Sequence, residues 1–449
     1  MDGQTRGLVR VHRFGMESLS LQQRLFFPVQ VALTPCVPLL KGVGFFRGVS
    51  APPTHKKRAI AQWDIIHTMN KKKKALPKRV RPFYRALHTN LPHLTKPQAI
   101  TLALWSYAII HTGSCGLTTV ATYAALLLQQ SQNTLRQRLR EFYKDAAHKA
   151  GAQRRELEIT PCFAALLRWI VRLWTSPHKC LALALDATTL KQRFTVLSIS
   201  VLYQQRAIPV AWTIIPANRP GSWQPYWEAL LEALRDAIPK GWTVLVCADR
   251  GLYAKWLFAR IVQLGWHPFL RVNAQGYYRL AGQASYQRLA SVASQAGTQW
   301  CGRVVCFKDN PLECTLLAFW DTGQSEAWLI VTDLPPERAR ARWYAMRAWI
   351  ESGFADLKRR GWQWHKTQMG DGARAARVWL ALAVATLWVV GVGSAVAQRR
   401  EACGLGRCVG VSCFRLGRLQ VLAAQARGEG CALAGLVGVD WLVERSPPE

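Results

Sequence analysis

In the segment YAMRAWIESGFADLK, residues 344–358, a phenol, a guanidinium, a carboxylate and an ammonium stand at Tyr344, Arg347, Glu351 and Lys358. On an ideal helix of about 100° per residue, these four side chains fall within an arc of roughly 60°. The spacing predicts one helical face with an acid flanked by two permanent cations. A solvated surface face has the same composition, so the chemistry turns on where the other carboxylates lie. Asp186 and Asp249 each end an apolar run, LALALD and TVLVCAD, that reads as a buried strand. Singly, such an acid is equally a turn residue. Together, Asp186, Asp249 and Glu351 form a candidate set of oxygen ligands for hard cations. Two Mg²⁺ ions roughly 3.5 to 4 Å apart on such a set can activate a water and stabilise the leaving oxygen of a phosphodiester. Arg347 and Lys358 would neutralise phosphates that the carboxylates alone repel.

The elements that must position these groups are legible around them. Pro335 and Pro336 are expected to open the helix carrying Glu351, and Gly361 to close it. Upstream, LALALDATTL, RFTVLSISVLYQ and AIPVAWTIIPA read as three strands. SWQPYWEALLEALRDAIP reads as a helix capped by Ser222, and WTVLVCADRG as a fourth strand ending at Asp249. Three strands, a helix and a fourth strand make the ribonuclease-H-like order, in which the first and fourth strands are neighbours and their acids meet at one sheet edge. A helix, AKWLFARIVQLGW, then leads to a strand, HPFLRV. GRVVCF, CTLLAFW and EAWLIVTDL follow as strands of a β-rich insertion ahead of the Glu351 helix.

Ahead of the core, residues 119–128 and the run NTLRQRLREFY predict two helices about a turn at Ser131 and Gln132. This is a helix-turn-helix pattern with Asn133, Thr134, Arg136, Gln137 and Arg140 on its exposed face, and equally an ordinary helical bundle. Residues 56–85 hold eleven lysines and arginines against the single acid Asp64, either a solvated basic arm or a phosphate-contacting one. Residues 378–397 run uncharged for twenty positions, long enough to span a bilayer. The alanines of that stretch and its Gly391 and Gly393 favour a helix packed in a soluble core. The tail beyond Arg399 is basic, with FRLGRLQVLAAQAR as its one helical pattern.

A chain of 449 residues, half of them hydrophobic, is globular and large enough for two or three domains. Its formal net charge of +33 calls for a polyanionic partner, with nucleic acid ahead of an anionic membrane surface. Its twelve cysteines include no CxxC pair, and the five-residue recurrence of Cys403, Cys408 and Cys413 matches no common zinc framework. They read as reduced thiols of a cytoplasmic protein with no export signal and no membrane association.

The pattern Y-x2-R-x3-E-x6-K, matched without a gap by Tyr344, Arg347, Glu351 and Lys358, resembles the signature of bacterial DDE transposases of the insertion-sequence-four family. ALDATTL and VCADRG are similar to that family's two aspartate regions, and RRGWQWHKTQM followed by an apolar helix also resembles it. The resemblance implies a ribonuclease-H-like mixed sheet with flanking helices, interrupted by a β-rich insertion and preceded by a helical domain. It implies Asp186, Asp249 and Glu351 as catalytic acids holding two Mg²⁺ ions, with Mn²⁺ able to substitute. It implies Tyr344, Arg347 and Lys358 as phosphate contacts near the cleaved end. The partners it implies are double-stranded DNA, both terminal inverted repeats and target, and a second copy of the chain in the synapse. Some relatives stack a flipped base on a tryptophan of the insertion, for which Trp300, Trp320 and Trp328 are candidates; ordinary packing explains each equally well.

The expected division is an extension or upstream mis-start over residues 1–68, a helical DNA-binding domain over 69–175 and a first core part over 176–275. The β-rich insertion over 276–332, a second core part over 333–398 and a basic tail over 399–449 complete it. The alternatives are a ribonuclease-H-like nuclease or an inactive end-binding remnant of the same fold, and a basic membrane protein anchored by residues 378–397. Asp333, Glu228, Glu232 and Asp236 are expected to serve as turn, cap or solvated-face acids. Thr188 and Thr189 would orient a ligand or continue a strand, and Arg250 would approach DNA or form an ion pair.

Overall fold

The computed structural model describes residues 76–151, 154–176, 178–406, 408 and 410–436. The N-terminal extension, the lysine run 71–74 and the last thirteen residues lie outside them, as do the expectations that fall there. The described residues belong to one compact unit that begins at residue 74.

Among the described residues, five α-helices come first: α1 (Arg81–Asn90), α2 (Lys96–Thr112), α3 (Leu117–Leu128), α4 (Gln132–Tyr143) and α5 (Thr160–Leu173). Helix α2 starts where a capping box and a proline direct it. Thr95 accepts the Gln98 amide, the Gln98 side chain accepts the Thr95 amide, and Gly113 ends the helix at φ 65°. Helices α3 and α4 are the expected pair, with Leu135, Leu139 and Phe142 buried and Asn133, Thr134, Arg136, Gln137 and Arg140 exposed.

A single ten-stranded sheet follows. Its first five strands are β1 (Cys180–Leu190), β2 (Phe194–Tyr203), β3 (Arg206–Pro216), β4 (Thr243–Ala248) and β5 (His267–Arg271). Their spatial order, β3-β2-β1-β4-β5, is the ribonuclease-H-like one, with β1–β3 antiparallel and β4 and β5 parallel to β1. All ten residues of β2 are buried, as a strand covered on both faces must be. Helices α6 (Gln224–Ala233) and α7 (Lys255–Gln263) connect β3 to β4 and β4 to β5. The Ser222 hydroxyl accepts the Gln224 amide at the start of α6.

The strand-rich stretch forms β6 (Tyr277–Leu280), β7 (Gln287–Arg288), β8 (Gln299–Cys306), β9 (Leu312–Phe319) and β10 (Trp328–Thr332). These strands extend the same sheet, because β10 pairs antiparallel with β5 and carries β9, β8, β6 and β7 outward in that order.

The stretch expected to be one helix from the prolines to Gly361 is built in pieces. Pro335 opens a turn, its carbonyl accepting the amides of Arg338 and Ala339. A 3₁₀ helix (Ala341–Ala348), helix α8 (Trp349–Ala355) and a π turn (Asp356–Arg360) then run on. Gly353 explains the close seat of α8 on the sheet, since a Cβ there would lie 2.7 Å from that of Ala207.

The apolar helix α9 (Gly372–Ala402) is the spine of the core, buried continuously from Ala375 to Ser394. Asp371 caps its start by accepting the Arg374 amide at 2.8 Å. Its polar contacts reach three neighbours: the Ser106 hydroxyl donates to the Ala381 carbonyl, the Trp212 indole to Ala376 and the Trp362 indole to Thr386. Buried Arg377 bonds the Tyr143 carbonyl and Asp145, which fastens the end of α4. Against α9 lies α10 (Cys413–Ala426), the helical pattern of the tail. Their backbones touch through two glycines: a Cβ at Gly393 would fall 1.8 Å from the Cys413 carbonyl, and one at Gly417 1.7 Å from that of Val389.

Candidate active site

Register brings the two aspartates together. Leu185 of β1 is level with Ala248 of parallel β4, so the next residues, Asp186 and Asp249, emerge side by side on neighbouring strands. Asp186 is not the end of its strand, as the apolar run implied. It is the seventh of eleven residues of β1, which continues along β2 through Leu190 after β4 has stopped at Ala248. Burial falls at that point, from fully covered Leu185 to half-buried Asp186.

Local backbone groups orient both acids. One oxygen of Asp186 accepts the Ala187 amide at 2.8 Å, and one of Asp249 accepts the Arg250 amide at 2.8 Å. Both remaining oxygens turn to Arg347. Its Nη2 lies 2.9 Å from Asp186 Oδ2 and 3.6 Å from Asp249 Oδ2, while Nη1 donates to Glu351 Oε1 at 2.7 Å. Residues from β1, the end of β4 and the Ala341–Ala355 segment thus meet on one guanidinium. The Arg347–Glu351 contact survives the break in the helix because it needs only one turn.

Access differs among the acids: the side chains are 18% exposed at Asp186, 38% at Asp249 and 66% at Glu351. Burial pushes the Asp186 carboxyl above the usual range against the pull of Arg347, and the charges of Asp249 and Glu351 push the same way. Burial alone would lower the Arg347 guanidinium, but the acids around it more than offset this and hold it above its ordinary value. Three carboxylates sharing one principal cation leave the cluster short of positive charge.

Arg271, at the end of β5, helps at the margin, 4.0 Å from Asp249 and 2.8 Å from Glu326. Sequence reasoning missed both Arg271 and Glu326. The signal was the register: Arg271 ends the strand beside β4, at the same sheet edge as Asp249. Arg250 takes the ion-pair alternative, bonding Glu326 at 3.0 Å.

The other signature residues are tied to the protein itself. Tyr344 is buried, and its hydroxyl donates to the Ala248 carbonyl at 3.3 Å, bracing the last residue of β4 before Asp249. Lys358 Nζ donates to the Thr188 hydroxyl at 2.6 Å and the Thr189 carbonyl at 2.7 Å, beyond Asp186 on β1. Burial lowers its ammonium from the ordinary value, and Arg359 adds to this. Asp356, not singled out from the sequence, is buried beside Arg206 at 3.4 Å. Asp333 lies at the opposite end of the sheet, 3.0 Å from His267 at the start of β5. Glu232 pairs with Arg235 at 2.7 Å and also with Arg260. Of the three tryptophans, Trp328 stands edge-on to Tyr344 at 5.3 Å, while Trp300 packs on Tyr278 and Trp320 bonds the Gln324 carbonyl.

A ready-made ligand cage, which three converging acids would imply, is not what the cluster forms. Among the described residues no three His, Cys, Asp or Glu side chains stand close enough together to hold a metal ion. The reason is visible: the guanidinium of Arg347 stands between the acids. The donor chemistry nevertheless fits a hard divalent cation, since carboxylate oxygens in excess of cationic charge face the space that Arg347 fills.

No curated protein matches this chain. Among solved structures, it is similar to the cryo-EM structure of piggyBac transposase synaptic complex with hairpin DNA. The TM-score is 0.37 at 9% identity, over 79% of this chain and 80% of that one, a likeness too slight to carry fold or function. Residues 177–388, which include Asp186, Asp249 and Glu351, match the family model described as Transposase DDE domain, and that match supports a DDE transposase.

Proposed function

We propose that this chain is the transposase of a bacterial insertion sequence, binding the element's terminal inverted repeats and catalysing DNA cleavage and strand transfer. The observation that carries the reading is the meeting of Asp186, Asp249 and Glu351 on Arg347 within a segment that matches a transposase DDE domain. Asp186 and Asp249, fixed by their backbone bonds, would hold a divalent cation, Mg²⁺ by preference, and Glu351 would complete the set. When bound, such ions supply an activated water and neutralise the leaving oxygen of the phosphodiester.

The chain's own residues do the rest. Tyr344 keeps the end of β4 in place, and Lys358 fixes the β1 extension. Arg347, once released from the acids, would suit a phosphate by its planar fork. The +33 charge draws DNA to the protein and makes binding salt-dependent. Arg136 and Arg140, exposed on α4, would contact DNA as part of a recognition helix. A homodimer joining two ends, acting in the bacterial cytoplasm, completes the proposal.

The test uses the DNA flanking the reading frame as substrate. Asp249→Ala should abolish Mg²⁺-dependent cutting and leave end binding intact. Retained cutting in the variant would sink the reading, and cutting without joining in the unaltered protein would favour a nuclease.

A further inference from the structure

Next to the three acids, a carboxylate covers two arginines that DNA would otherwise meet. Arg250, the residue after Asp249, and Arg271, at the end of β5, both bond Glu326. Arg250 Nη1 reaches both carboxylate oxygens, at 3.1 and 3.0 Å, and Arg271 Nη2 donates to Oε1 at 2.8 Å. One anion thus accepts two guanidiniums, an arrangement that the oxygens of a phosphate satisfy equally well.

Three observations set this contact apart from an ordinary surface ion pair. First, it is joined to the acids. Arg271 Nη1 lies 4.0 Å from Asp249 Oδ1, so ion pairs run without a break from Asp186 and Glu351 through Arg347 to Asp249, and on through Arg271 to Glu326 and Arg250. Four carboxylates share three guanidiniums along this line, and without Glu326 the charges would balance. In a chain with 59 lysines and arginines against 26 acids, an added acid at this edge works against the attraction of DNA to the rest of the protein. Second, the contact is easily released. Glu326 is 50% exposed and Arg250 49%, and exposed ion pairs are weak, whereas Arg271, 15% exposed, is held in place. Third, Glu326 stands outside the strands, in the loop 320–327 between β9 and β10. That loop is tied to itself, the Trp320 indole donating to the Gln324 carbonyl and the Gln324 amide to that of Asp321, so Glu326 can let go without breaking a strand pair.

We infer that Glu326 stands in for a phosphate of the DNA backbone, occupying Arg250 and Arg271 in the free protein and yielding them when a strand enters beside Asp249. The inference rests on the DNA-processing function proposed above and adds a displaceable acid to it. Tethering gives Glu326 an effective concentration on the order of millimolar, against which a small free anion competes poorly. A strand anchored by other contacts is tethered too, and its phosphates compete on equal terms. Exchange of one anion for another therefore selects DNA already seated on the protein.

The test measures binding of the full chain to a duplex of the DNA flanking the reading frame, without divalent metal so that nothing is cut. Glu326→Gln keeps the shape and removes the charge, and should bind about three- to tenfold more tightly, the cost of giving up two exposed ion pairs. Glu232→Gln is the matched control, since Glu232 also bridges two arginines, Arg235 and Arg260, but where α6 and α7 end, on the side from which β4 and β5 start. It makes the same change in net charge and should alter affinity less than about twofold. Adding Arg250→Ala to Glu326→Gln should remove most of the gain. Arg250→Ala alone should lower the slope of log affinity against log salt by about 1, which an arginine serving only to hold Glu326 would not do. No gain in Glu326→Gln, an equal gain in Glu232→Gln, or an unchanged salt slope in Arg250→Ala would each overturn the inference and leave the transposase reading standing. The Glu326→Gln gain in a chain that binds an arbitrary duplex as tightly as the flanking one would support the exchange and count against the transposase.

Discussion

Arg347→Ala takes away the one cation on which the three acids converge. At separations of 2.9 and 3.6 Å, the attractions to Asp186 and Asp249 are each on the order of 5 kcal/mol gross at an effective dielectric near 20. Burial of the guanidinium and of Asp186 offsets much of this, and water reaches Asp249. The exposed contact to Glu351 adds only a few tenths of a kcal/mol. The net loss should be about 2–3 kcal/mol, below the range for breaking a fully buried pair. The same change should open the cluster to a divalent cation, because Mg²⁺ no longer competes with a tethered guanidinium. A ligand at about 100 times its dissociation constant adds roughly 2.7 kcal/mol of stability. Urea unfolding of the full chain at pH 8, with and without MgCl₂, measures both effects. The variant should be less stable without Mg²⁺ and gain more from it than the unaltered protein does. Arg347→Lys, which keeps the charge but not the planar fork, should fall between them. An Mg²⁺ gain that is equal in all three proteins would refute competition between Arg347 and the metal. A loss under about 0.5 kcal/mol would refute the coupling of the acids through Arg347.

Two further outcomes follow from the packing around the site. Burial raises the Asp356 carboxyl to about 6, with Arg206 and Arg360 opposing it. A raised acid prefers its proton in the folded state, so ionising it costs stability that is absent below about pH 4 and grows to on the order of 3 kcal/mol above about pH 6. Asp356→Asn should therefore gain stability relative to the unaltered protein as pH rises through that window, and a pH-independent difference in unfolding free energy would contradict this. Gly417→Ala should unfold the contact between α9 and α10 at a cost above about 3 kcal/mol, since the added carbon meets the backbone carbonyl of Val389 at 1.7 Å. A melting temperature within a degree or two of the original would show that the two helices do not pack this closely.

The sequence by itself determined the strands, the buried helix and which acids to watch. Apolar runs of strand length with acids after them, and twenty uncharged residues rich in alanine, carry their meaning locally, because burial of one face or of a whole segment is written in residue types. Thus β1 to β5, the α3–α4 pair, α9 and α10 were all legible. What only the tertiary structure decided is everything that depends on partners distant in sequence. The level pairing of Leu185 with Ala248 sets Asp186 beside Asp249. The pairing of β10 with β5 makes the strand-rich stretch a continuation of the core sheet. The helical period over residues 344–358 was sound for the Arg347–Glu351 turn but not for the whole segment, which tertiary contacts divide into 3₁₀, α and π pieces. Tyr344 is drawn down to the Ala248 carbonyl at one end, and Asp356 is packed beside Arg206 at the other. No spacing rule places a guanidinium among three carboxylates drawn from separate elements. The fold does so because acids brought that close, with one of them half-buried, need a cation between them.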